Sequence, residues 1–289
     1  MKFENIVYAA AENGTVTAVD ASNGNKVWKV KLDKRVTAGP GADGRVVAVG
    51  AEDGLLIGLN PEDGSELWRV DTGGELLAAP LVDRGLVVVR SLDGRIRAVS
   101  AIDGTQQWIL NRAVPRLTLR GNSGLVLKDE RILVGLDNGK LMALRQRDGG
   151  VLWETVIAVP SGRGDIERMV DIDGRPRAVD SDVYVNSFQG RVASVAAESG
   201  RLLWARDLSG IEDLDVHNDA LIVTDVEGRI VAYDRFSSSK LWEQDALLNR
   251  GVTGPAAMND RVVVADKFGY LHMIDPLDGK LIGRQRVDR

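Results

Sequence analysis

One interval recurs through this chain without variation. Gly14 to Trp28, Gly54 to Trp68, Gly94 to Trp108, Gly139 to Trp153, Gly190 to Trp204 and Gly228 to Trp242 are each separated by 14 residues, and Gly269 to Gly283 makes a seventh pair. A second glycine precedes the tryptophan by four residues at Gly24, Gly64, Gly104, Gly149 and Gly200. Gly279 takes that place in the seventh unit and Ser238 in the sixth. All six tryptophans of the protein are therefore committed to one repeated position. An internal repeat with a period near 40 residues specifies an array of supersecondary units, so the fold must be one that stacks such units.

Within a unit the local signals are those of strands. In Val46–Val70, the runs Val46 to Val49, Leu55 to Leu59 and Glu66 to Val70 are β-favouring and about one strand long. Asp53-Gly54 offers the positive φ of a tight hairpin, and Pro61 to Gly64 a longer loop ending in glycine. A further segment precedes each hairpin from the second unit on: Val36 to Ala42, Leu76 to Val82, Leu125 to Lys128, Arg177 to Asp180, Ile211 to Val216 and Val252 to Met258. Several are rich in small residues and proline, as inner strands crowding a central channel require. The expected fold class is all-β: a β-propeller of repeated four-stranded antiparallel blades. Seven units are present, in a single domain spanning residues 1–289 and apparently trimmed at both ends. The first unit supplies only three strands, Ile6 to Ala10, Val16 to Asp20 and Lys26 to Leu32, so its inner strand is expected to be missing. A ring left open where a further blade would close it is the corresponding expectation.

Composition narrows the function. The net charge of −5 is spread without runs, which leaves no electrostatic footprint for nucleic acid or an anionic membrane. With no cysteine, disulfides, thiolate catalysis and sulfur-ligated metals are excluded. No apolar stretch approaches the roughly 20 residues of a membrane helix. His217 and His272 are isolated and lack metal-ligand spacing, and the loop from Asp171 to Gly174 offers too few oxygen ligands for calcium. Neither a catalytic constellation, nor a cofactor site, nor a metal site is expected.

The repeat also shows where it is broken. From tryptophan to tryptophan, with Gly283 as the last mark, the spacings are 40, 40, 45, 51, 38 and 41 residues. Because the 14-residue core is constant, the extra residues fall in two neighbouring connections, which contain Ala113 to Gly121 and Ser161 to Pro176. Insertions clustered on one face of a repeat scaffold are where binding surfaces form. In the first, Leu117, Leu119 and Arg120 alternate apolar and cationic side chains. Either the leucines pin the loop to the blades, or they and Arg120 form the apolar and arginine anchor of a protein interface.

The pattern Ala-x-Asp-x-x-x-Gly-x-x-x-Trp, as in Ala18 to Trp28, resembles the blade motif of pyrroloquinoline-quinone dehydrogenase-like propellers. Within that group the chain is similar to the lipoprotein subunits of the outer-membrane β-barrel assembly machine, most specifically at Pro115 to Gly121, Asp165 to Asp173 and Gly269 to Asp275. That resemblance implies an eight-bladed ring whose closing blade is missing here. It implies a non-enzymatic scaffold at the periplasmic face of the outer membrane, held by a lipid anchor absent from this chain. It also implies a partner, the periplasmic POTRA domain of BamA, docked on Leu117, Leu119 and Arg120 with Asp171 and Asp173, and nascent outer-membrane β-barrel proteins as further contacts. Arg120 then bonds either a carboxylate of the partner or Asp171 or Asp173 of its own chain. Two alternatives stand beside this reading, a quinoprotein dehydrogenase and a generic protein-binding propeller.

Overall fold

A computed structural model describes residues 1–115, 117, 123–160, 163–164 and 168–287. Among these, seven antiparallel sheets of four strands follow one another, each formed by strands consecutive in sequence. The second sheet is representative, with strands Val36–Ala42, Val47–Ala51, Leu55–Leu59 and Glu66–Asp71. Its central hairpin turns where expected, with Asp53 and Gly54 at φ 62° and 75°. The loop to the outer strand closes on Gly64 at φ 76°.

The first sheet departs from expectation. It has a fourth strand, Lys2–Phe3, paired antiparallel with Val7 and Ile6. Two residues carry no sequence signature of a strand, and only the neighbouring edge of Ile6–Ala10 makes them one. Conversely, the inner strands of later sheets are shorter than their apolar runs. Leu81–Asp83 and Ala256–Met258 begin only after Pro80 and Pro255, because proline cannot donate to the ladder.

The tryptophans explain how sheet packs on sheet. Opposite each lies a small residue of the adjacent strand: Ala18, Gly58, Ala98, Ala143, Ser194 or Ala232. A register shift follows that residue in all seven sheets, the seventh having the pair Met273 and Gly283. There the sizes are exchanged, the large side chain moving to the third strand. Each indole N–H then donates to a carbonyl of the following unit: Trp28 to Pro61, Trp68 to Ala101, Trp108 to Gln146, Trp153 to Ala197, Trp204 to Arg235 and Trp242 to Pro276, at 2.8–3.1 Å. The glycine that precedes the next tryptophan lies under the ring, and a Cβ on Gly64 would sit 2.7 Å from Cε3 of Trp28.

The chain forms two compact units, Met1–Val114 with Arg145–Gly150, and Pro115–Leu144 with Val151–Arg289. In the first, one core joins Tyr8, Val16 and Trp28 to Val47, Val49 and Ile57, and another joins Leu56 and Trp68 to Val87 and Val99. In the second, the cores join Leu133 and Leu141 to Ile172 and Val183, Tyr184 and Val192 to Leu221, and Ile222 and Trp242 to Val262 and Ile274. Each core is thus shared by successive sheets, as expected of units that cannot bury an apolar face alone.

Candidate protein-binding site

Asp171 and Asp173 flank Ile172, which is fully buried. Ile172 lies directly on Gly135, where any Cβ would overlap its side chain. Its N–H donates to the Leu136 carbonyl at 3.3 Å, and the Asp171 carbonyl accepts from the Phe188 N–H at 2.8 Å. The second of these bonds recurs ahead of the second sheet, where the Glu52 N–H donates to the Arg35 carbonyl. Asp171, Ile172 and Asp173 therefore occupy the places of Arg35, Val36 and Thr37. They belong to the blade framework. The connection that contains Ser161 to Pro176 thus re-enters the core by Val170.

That placement separates the two aspartates. Asp171 is 1% exposed and has no surface to offer a partner, whereas Asp173 is half-buried. Just beyond them the chain is held to the next sheet, with the Arg175 N–H donating to Asp213 at 2.7 Å. Gly174 lies against the Glu212 carbonyl so closely that no side chain fits, and its own carbonyl accepts from the buried Ser123 hydroxyl at 3.1 Å.

The two long connections meet at one cleft of about 330 Å³. Pro115 and Leu117 come from the first connection, and Pro160, Arg168, Met169 and Val170 from the second. The hairpin turn at Asp137 and Asn138 completes the described lining. Leu117 is 45% exposed, a large share for an aliphatic side chain beside a cleft. Asn138 adds a buried carboxamide oxygen that accepts no hydrogen bond from the described residues. Leu119 and Arg120 lie outside the described residues. The structure thus brings Leu117 to the segment that contains Val170 and Asp171. Asn138 and Met169 were missed in the sequence, because Asp137-Asn138-Gly139 reads as an ordinary hairpin turn.

The histidines are engaged elsewhere. His217 shares a 2.8 Å hydrogen bond with the Asn259 carbonyl, and the buried His272 pairs with Asp266 at 2.8 Å. Burial pushes the Asp266 carboxyl up, but hydrogen bonds from His272, Arg250 and the N–H groups of Tyr270 and Phe268 outweigh it. They hold that carboxyl well below the usual carboxylate range.

Comparison with known proteins places the chain in a family. The family described as outer membrane protein assembly factor BamB matches residues 12–244 and 226–289. The outer membrane protein assembly factor BamB of Alkalilimnicola ehrlichii is 52% identical over 283 residues, covering 98% of this chain and 74% of the relative. The crystal structure of BamB from Moraxella catarrhalis superposes with a TM-score of 0.92 at 28% identity, covering 99% of this chain and 88% of that one. A europium-containing methanol dehydrogenase also superposes, at a TM-score of 0.82 with 13% identity over 98% of this chain and 77% of that one, and shares the fold alone. With seven four-stranded antiparallel blades, the fold is a β-propeller. The chain belongs to the BamB family of outer membrane protein assembly factors.

Proposed function

We propose that this protein is a non-enzymatic scaffold subunit in outer-membrane protein assembly, acting at the periplasmic face of the outer membrane. Its blades present the cleft between the two long connections to a periplasmic POTRA domain of BamA, and the complex so formed supports insertion of nascent β-barrel proteins. Leu117, Leu119 and Arg120 supply the apolar and cationic contact. Asp171, buried next to Val170 in sequence, positions the loop, and Asp173 stands nearer the surface.

The observation that carries this reading is the convergence of Leu117 with Met169 and Val170 on one cleft. The repeat sets the two connections side by side, and their extra residues give the face a joint concave surface that the unenlarged connections lack. An exposed leucine over a concave, partly polar pocket is the form in which interface anchors seat. The names of the relatives, which are assembly factors, support the absence of catalysis.

The test is association in solution. Purified protein mixed with the BamA periplasmic domains should co-elute as a complex, and Arg120→Ala should reduce that complex with the melting temperature unchanged. Separate elution of the two proteins would reject the reading in favour of a propeller with another partner.

A further inference from the structure

A groove of about 430 Å³ lies between the seventh sheet and the connection that enters it from the sixth. Arg250, His272 and Arg284 line it together with Leu247, Leu281 and Ile282. A corresponding groove of about 320 Å³ lies between the fifth and sixth sheets, lined by Asp207, Asp225, Glu227 and Glu243 with Arg229 and Lys240 as the cations. Aligned on Trp242 and Gly283, the two sheets exchange charge. Glu243 corresponds to Arg284, Asp245 to Arg286 and Glu227 to Phe268. No carboxylate is among the described residues lining the later groove.

The cations around it are fixed on aromatic rings. Arg284 and Arg286 stand 5.4 and 5.7 Å from the Tyr270 ring centre, and Arg250 and Lys267 stand 4.9 and 5.3 Å from that of Phe268. Arg250 is committed to Asp266, which the seventh sheet buries completely. Among the described residues, neither Arg284 nor Lys267 has a carboxylate within ion-pair distance. A guanidinium stacked on a ring keeps its N–H edge in place for an oxyanion. In a chain of net charge −5, this concentration of cations beside exposed Ile282 and Phe268 is complementary to an acidic, partly apolar ligand.

We propose that the groove between the seventh sheet and the connection entering it is a docking site for an extended acidic segment of another protein. Arg284 of the lining receives its carboxylates, with Lys267 beside Arg250 at the Phe268 ring, and Leu281 and Ile282 receive its apolar side chains. The concave form of the site favours a peptide over a lipid surface, which would need a protruding face. This site is independent of the cleft at Leu117.

The probe is a fluorescein-labelled decapeptide of alternating Glu and Val, followed by anisotropy against the full chain, with a Gln and Val peptide as its uncharged counterpart. The expected result is binding of the acidic peptide alone, weakening with added salt and falling at least about tenfold in the Lys267→Glu, Arg284→Glu double variant. Arg284→Lys should retain part of it. Both positions are exposed, so melting temperatures should match, and Arg284→Gln provides the same comparison should the double variant melt early. Equal binding by wild type and variants, or no binding of the acidic peptide by the wild type, would overturn the proposal. Arg284-dependent sedimentation with 70:30 phosphatidylcholine:phosphatidylglycerol vesicles, without peptide binding, would overturn it in favour of a lipid headgroup.

Discussion

The indole N–H of Trp68 donates to the carbonyl of Ala101 at 3.0 Å, and this single bond crosses from the second sheet to the third within a fully buried environment. The ring also covers Gly104, where an added Cβ would meet Cε3 at 3.0 Å. One side chain therefore fixes spacing, orientation and hydrogen bonding between two sheets.

Trp68→Phe should keep most of the apolar contact but leave the Ala101 carbonyl without its donor, costing about 1–3 kcal/mol. Trp68→Ala should cost about 3–5 kcal/mol, since a cavity is added. Urea unfolding measures both. Equal losses for the two variants would mean that the ring's apolar contact contributes nothing beyond the hydrogen bond.

Gly64 and Gly24 share a positive φ, 76° and 74°, but differ in surroundings. A Cβ on Gly64 meets the Trp28 ring at 2.7 Å, and one on Gly24 meets nothing within 4 Å. Gly24→Ala should cost about 1 kcal/mol, the backbone term alone. Gly64→Ala should cost about 1–3 kcal/mol more, because the ring must move. Chemical denaturation of the two variants isolates the packing contribution, and matching losses would contradict it.

Asp266 accepts from His272, Arg250 and two backbone N–H groups with its side chain fully buried. Its folded pKa is depressed, so its stabilisation is present above the unfolded value near 4 and is lost as pH falls through the folded one. Asp266→Asn should cost about 3–5 kcal/mol at neutral pH. The gap between wild type and variant should stay constant above about pH 5 and narrow below about pH 4. Melting curves from pH 7 to 3 test this, and a gap that widens on acidification would reverse the assignment.

The blades were legible in the sequence because glycine and tryptophan at fixed separation each have one physical task, a positive φ and a ring laid on the next sheet. The strand Lys2–Phe3 was not, since its pairing depends on a neighbour's edge and not on its own residues. Nor was the separation of Asp171 from Asp173. Spacing showed that residues were inserted before the fifth sheet, but only the bonds from Ile172 to Leu136 and from Phe188 to Asp171 show that the insertion ends ahead of them. Asn138 escaped notice because a turn residue acquires meaning only when two distant loops close over it.

The central claim is that the cleft bordered by Leu117 binds the BamA periplasmic domains. Leu117 is exposed and outside the blade cores, so Leu117→Asp should leave the fold intact while placing a charge where an apolar anchor seats. The most direct measurement is calorimetric titration of those domains into wild type and Leu117→Asp, with melting temperatures in parallel. The account predicts an affinity loss of at least about 30-fold, equivalent to about 2 kcal/mol, at an unchanged melting temperature. Undiminished affinity in the variant would contradict it.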